Sequence, residues 1–225
     1  MKKRIPLRDR VLPFYTKGEE IFNMVTHIVG GAIGVAALTL CVVLSALRGS
    51  VAGVITGAVF GTSMVVLYTM SSIYHGLPVN TAKKVFQIMD HCTIYFLIAG
   101  TYTPILICGM APRYPWEAWI TFGVIWGLTV LATVLTAIDI AKYKVFSMIC
   151  YIGIGWAILP TVNKAIETLT PVGFSLVLGG GIFYTAGAVF FKIGKKKKYF
   201  HSIFHILTLL GSICHILAIL FFVLW

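Results

Sequence analysis

Apolar positions run along this chain in seven long blocks, at 21–47, 51–76, 85–109, 116–138, 144–163, 172–192 and 200–225, parted by short polar stretches. Each block reaches the roughly 20 residues that a helix needs to cross a hydrocarbon core about 30 Å thick. The pattern predicts an all-α membrane protein: a seven-transmembrane helix bundle over residues 21–225, one domain preceded by a tail of residues 1–20.

Polar side chains inside the blocks recur at helical spacing. Glu20, Asn23 and His27 share a face of the first block, and Ser71 and His75 share one on the second. His201 and His205 are one turn apart, and Thr208, Ser212 and His215 extend their stripe. Ionisable groups facing lipid are costly, so these stripes should point into the bundle. Glycines repeat at four-residue spacing too, at Gly30 and Gly34 and at Gly53, Gly57 and Gly61. Small residues at that spacing let helix backbones approach closely in lipid, either within one bundle or between the copies of a homo-oligomer.

Composition agrees with the pattern. Hydrophobic residues make up 59% of the 225 and charged residues only 11%, too few to cover a soluble surface. The net charge of +11 would suggest nucleic acid, but its distribution argues against that partner. Of eighteen basic residues, only Arg48, Arg113 and Lys164 fall in loops on the side away from the N-terminus. The others gather in the tail (Lys2, Lys3, Arg4, Arg8, Arg10, Lys17) and in the loops at Lys83 and Lys84, at Lys142 and Lys144, and from Lys192 to Lys198. This asymmetry predicts a cytoplasmic N-terminus and an outside C-terminus in a multi-pass protein of the cell (plasma) membrane. The lysine run at 195–198 reads as a topology signal lying against anionic lipid headgroups. The basic start could front a signal peptide. However, the apolar run after it is long, opens with polar residues and has no clear cleavage signature, so it reads as a retained span. The five cysteines lie in apolar segments without a C-x-x-C pair, which disfavours disulfides and thiolate zinc.

This topology brings five of the six histidines to one membrane level. His27, His75, His91, His201 and His205 all fall near cytoplasmic helix ends, with Asp90 beside them; His215 lies about 15 Å deeper. An H-x-x-x-H pair with one more histidine from a neighbouring helix suits zinc, and three protein ligands leave a fourth position open. Zinc lowers the pKa of a bound water toward about 7. Asp90 could take the proton or orient the water, and Ser71 could hydrogen-bond a ligand or an oxyanion. Fe²⁺ or Mn²⁺ could also occupy a mixed nitrogen and oxygen site. Histidines at helix ends can instead sit at the headgroup boundary and bind nothing. Their convergence from four helices with Asp90 among them favours a metal.

At these residues the chain resembles the hemolysin III family of bacterial membrane proteins, which belongs with the progestin and adipoQ receptors, including the adiponectin receptors. The resemblance rests on EEIFNMVTHIVGGAIG, SSIYHGLP, DHCTIYFLIAGTYTP, LGGGIFYTAGAVFF and HSIFHILTLLGSICH, one per span and in order from residue 19. It implies a seven-helix bundle with Zn²⁺ near the cytoplasmic face, held by His75, His201 and His205, with Ser71 and Asp90 in the site. Apart from what the resemblance implies, His27 and His91 are extra polar groups near that metal that could compete as ligands or stand around them, as could Asn23 and Glu20.

The wider superfamily includes alkaline ceramidases. The resemblance therefore implies a zinc-dependent hydrolase of lipid amide or ester bonds, acting on a membrane lipid in membrane-lipid homeostasis. Two other functions are compatible with the residues: a receptor or regulator with structural zinc, and the cytolytic protein of the family name.

Overall fold

The computed structural model describes residues 6–193 and 197–225, so the basic residues Lys2, Lys3, Arg4, Lys195 and Lys196 lie outside the described residues. The elements are α1 (Lys17–Leu47), α2 (Val51–Gly76), α3 (Thr81–Pro104), α4 (Pro115–Ile138), α5 (Lys144–Gly155), α6 (Val162–Ile193) and α7 (Phe200–Ile219). Among the described residues there is no strand. The surface is apolar, with Ile28, Trp119 and Val124 each more than half exposed. An apolar exterior with polar groups turned inward identifies an all-α, multi-pass membrane protein.

Local signals set the helix ends. Thr16 and Glu19 form a capping box at the start of α1, and Ser50 and Asn80 cap α2 and α3. Gly49, at φ +69°, takes the left-handed conformation that ends α1 and turns the chain into α2. Pro104 closes α3, and the chain continues as a π-helical turn over Ile105–Met110.

Both glycine stripes meet at the α1–α2 interface, the intramolecular alternative of the sequence reading. Gly30 lies under the Tyr68 ring, Gly34 against Met64, Gly57 against Cys41 and Gly61 against the backbone of Leu38. α2 packs on α3, α3 on α4, and α7 on both α6 and α1, which brings the last helix beside the first.

Among the described residues, six helical stretches are long and apolar enough to cross a membrane. The fifth and sixth expected blocks fall in one of them, Lys144–Ile193, which is 50 residues long. It is not a straight rod. α5 ends at Gly155, where the Tyr102 hydroxyl donates to the Gly155 carbonyl and accepts from the Ile158 N–H at 3.2 Å. A second break follows at Thr170 (φ 62°), before Pro171. The Trp156 indole N–H donates to Thr185 Oγ1 at 3.0 Å, so residues on either side of Thr170 lie side by side.

The polar connections sort to two ends. At one end Lys84 Nζ donates to the Arg8 carbonyl, Arg10 donates to the Ile138 carbonyl at 3.2 Å, and the Tyr199 N–H donates to Glu19. At the other end Arg48 stands over the Trp225 ring, Arg113 pairs with Glu167, and Lys164 pairs with Glu117.

A side chain at Gly61 would run into Leu38, whose backbone nitrogen would stand 2.9 Å from an added Cβ. Overpacking of this kind costs about 1–3 kcal/mol. Gly61→Val should therefore lower the melting temperature of detergent-solubilised protein. Gly123→Ala, where nothing lies within 4 Å, should leave it unchanged. Equal melting temperatures for the two variants would contradict this packing.

Candidate metal centre

Hydrogen bonds between α1 and α7 fix where the histidines of α7 point. The Tyr199 N–H donates to Glu19 Oε1 at 2.7 Å, and the Ser202 hydroxyl donates to Asn23 Oδ1 at 2.7 Å. Asn23 is fully buried and Ser202 nearly so. With that face of α7 against α1, the i, i+4 pair His201 and His205 turns inward. His75, in the last turn of α2, meets it.

The three rings form a close group. Their centroids are 5.3 Å apart for His75 and His201, 4.9 Å for His75 and His205, and 4.7 Å for His201 and His205. All three are buried, and one nitrogen from each falls within 4.8 Å of the others. The Nε2 atoms of His201 and His205 are 3.1 Å apart. Two nitrogens about 2.05 Å from one tetrahedral ion would be about 3.3 Å apart, so the spacing suits a shared metal. His75 Nε2, His201 Nδ1 and His205 Nδ1 have no hydrogen-bond partner in the protein. The donor set, with Nε2 of His75 unpartnered and Nε2 of His201 and His205 facing each other, therefore fits a divalent ion bound by imidazole.

Behind His75 lies a second set of contacts. Its Nδ1 is 2.6 Å from Glu20 Oε2, and Glu20 Oε1 is 2.9 Å from Lys83 Nζ. The His75 side chain is fully buried, and that of Lys83 is 3% exposed. A carboxylate on the far nitrogen of a ligating histidine is the usual way to fix its tautomer and ring orientation.

Two aromatic contacts cover the group. Tyr15 stacks on His201 at 4.7 Å and meets the edge of His75 at 5.8 Å. Burial, with the Asp90, Glu20 and Glu19 carboxylates around it, holds the Tyr15 phenol protonated well above the usual tyrosine range. His27 stacks on His205 at 3.8 Å and rests against Tyr68. It is outside the three-histidine group, although both its nitrogens lack a hydrogen-bond partner.

The remaining residues singled out in the sequence separate here. Ser71 is buried one turn before His75. Asp90 is not part of the group; a carboxylate oxygen lies 3.8 Å from His91 Nδ1. His91 faces its own helix, with Nδ1 2.8 Å from the Gln87 carbonyl, and does not join the other four histidines. His215 is explained by the packing of α6: its Nε2 is 3.1 Å from the Val177 carbonyl, and Gly180 leaves room for its ring. Ser212, on the same stripe, bonds the hydroxyls of Tyr68 at 2.6 Å and Tyr184 at 2.7 Å. Sequence reasoning missed Tyr15 and the role of Lys83. Tyr15 precedes the first apolar block, and Lys83 looks like its neighbour Lys84.

Beside the histidines an apolar cavity runs between α3, α5, α6 and α7, enclosing about 1260 Å³ together with its open mouth. His91, Tyr102, Trp156 and His215 are among its walls, and so are Phe191 and Phe204. Both phenyl rings also touch the His201 ring, at 5.6 and 5.5 Å. The cavity and the histidine group thus share a wall.

The profile of the family described as haemolysin-III related matches residues 15–216. The chain is 36% identical over 206 residues to Hemolysin-3 of Bacillus cereus, covering 92% of each chain. It is 32% identical over 208 residues to the Hemolysin-3 homolog of Bacillus subtilis (strain 168), covering 92% of this chain and 96% of that one. A more distant similarity, 26% over 225 residues, reaches the human monocyte to macrophage differentiation factor, covering 97% of this chain and 90% of that one. The chain belongs to the haemolysin-III related family.

Elemental analysis of purified protein should find a transition metal that is lost in a His201→Ala, His205→Ala double variant. Resupplying the ion at about 100 times its Kd should stabilise the wild type by about 2.7 kcal/mol. Equal metal content in the two proteins, or none in either, would rule out this centre.

Proposed function

We propose that this haemolysin-III related protein is a zinc-dependent hydrolase of lipid amide or ester bonds, acting within the membrane. The observation that carries the reading is the three-histidine group. It has three buried imidazoles, one nitrogen of each within 4.8 Å of the others, and it shares a wall with an apolar cavity. Apolar pockets with a few convergent polar groups are the usual form of small-molecule sites.

In this reading His75, His201 and His205 hold the ion, and Glu20 orients His75. When bound, the ion would supply Lewis acidity and would lower the pKa of a water toward about 7. The Asp90 carboxylate accepts a proton on the attacking side and returns it to the leaving amine or alcohol. The Ser71 hydroxyl donates to the oxygen that gains charge. The cavity takes the acyl chain, and Tyr15 keeps water away from the cytoplasmic side of the group.

The same proposal includes seven crossings, with the N-terminus cytoplasmic. A straight helix of 50 residues would be about 75 Å long, over twice the hydrocarbon thickness. The break at Thr170 and the Trp156–Thr185 contact support two passes there. Lys84, Arg8 and Arg10 at one end of the bundle, with the further lysines of the sequence, support a cytoplasmic face set against anionic lipid headgroups.

The test is turnover of a ceramide, a phospholipid and an acyl amide by metal-loaded protein in nanodiscs. His75→Ala should abolish turnover, and Asp90→Asn should lower kcat by about 10²–10⁴-fold, the usual contribution of a general acid–base group. If loaded and metal-free protein are equally inert while His75→Ala loses metal and thermal stability together, the zinc is structural and the hydrolase reading fails. Lysis of red cells by the purified protein with the histidines replaced would support instead the activity named in Hemolysin-3.

A further inference from the structure

We infer that Lys83 is a positioning residue for the histidine group, acting on His75 through Glu20. The inference deepens the metal-site reading above and rests on it.

Lys83 lies in the first turn of α3, where a cation opposes the helix dipole. Its side chain is nevertheless 3% exposed, and among the described residues no other lysine is buried. Ammonium carries three protons, and three acceptors surround this one: Glu20 Oε1 at 2.9 Å, the Leu77 carbonyl at 2.9 Å and the His75 carbonyl at 3.5 Å. The two carbonyls belong to the open C-terminal end of α2, where a cation is favoured. The ammonium also stands 5.1 Å from the centre of the Tyr74 ring. One charged group thus joins α3 to the end of α2 and to Glu20 on α1.

The geometry gives the join a direction. Glu20 has one carboxylate oxygen on Lys83 and the other on His75 Nδ1, at 2.6 Å. With Oε1 held, the carboxylate cannot rotate away from His75. His75 then keeps its proton on Nδ1, and Nε2, which has no partner in the protein, is left to face the other two rings. Capping of α2 alone would need only the two carbonyl contacts and would leave Glu20 indifferent to Lys83. The short, shared carboxylate bridge is the part that capping does not explain.

The experiment uses the full chain in detergent, labelled with ¹⁵N-histidine, together with Zn²⁺ titration against a chromophoric chelator. His75→Asn identifies the His75 signals. In metal-free wild type His75 should show the Nδ1–H tautomer. In Lys83→Met, which keeps the apolar stem and removes the ammonium, the signal should lose that signature. Zn²⁺ affinity should fall about 10–100-fold, as for other groups that orient a metal-ligating histidine. Glu20→Gln tests the same link from its more exposed end should Lys83→Met fail to fold. The double variant should bind Zn²⁺ no more than about threefold weaker than the weaker single variant, because both changes break one connection. A His75 tautomer and a Zn²⁺ affinity unchanged within twofold in Lys83→Met, or additive losses in the double variant, would overturn the inference. If the wild type binds no Zn²⁺, the metal reading fails by itself, and the His75 tautomer still decides whether Lys83 positions the ring.

Discussion

An imidazole nitrogen inside a membrane bundle has no bulk water to turn to, and this constraint governs the histidine end of the molecule. Four histidine rings pack together from α1, α2 and α7, and several of their nitrogens have no protein partner. Each unsatisfied buried polar group costs about 1–3 kcal/mol. Such a concentration persists only where the surrounding structure over-determines it. Here α1 and α7 are pinned by Asn23–Ser202 and Glu19–Tyr199, and α1 and α2 by the glycine contacts along their interface. The group is built by these contacts, and none of them involves the histidines themselves.

The same logic separates His215 from the others. Its Nε2 lies against the Val177 carbonyl, Gly180 gives its ring a seat, and it stands away from the other imidazole rings. With one nitrogen on a backbone carbonyl and no other imidazole against its ring among the described residues, His215 serves the packing of α6 and α7. The adjoining hydroxyl contacts of Tyr68, Ser212 and Tyr184 bind α2, α6 and α7 through one serine, so that part of the polar stripe holds helices together. A single stripe on α7 therefore serves two purposes, separated by depth.

Much of this was legible in the sequence because helical periodicity is a strong signal. The i, i+4 spacing put His201 and His205 on one face, and the four-residue glycine repeats marked a close helix contact that the structure places between α1 and α2. Other features were not legible, for physical reasons. Lys83 and Lys84 are adjacent and chemically identical, yet one ammonium is buried on a carboxylate and the other reaches the Arg8 backbone. Only tertiary structure separates them. Asp90 and His91 share the expected membrane level, but their helix directs them beside the histidine group, and level alone does not fix azimuth. The stretch 144–193 read as two blocks; it is helical with breaks at Gly155 and Thr170, and Pro171 marks the second without saying how far the chain turns.

His75 sits on the second long helix, and His201 and His205 sit on the last. A ribosome releases the first of these rings well over a hundred residues before the other two. Until α7 has entered the bundle, the nascent chain holds only one ring of the three-histidine group, the one beside Glu20. The histidine group therefore comes into existence at the final step of biogenesis. A chain stopped before residue 200 would lack two of the three rings of the group.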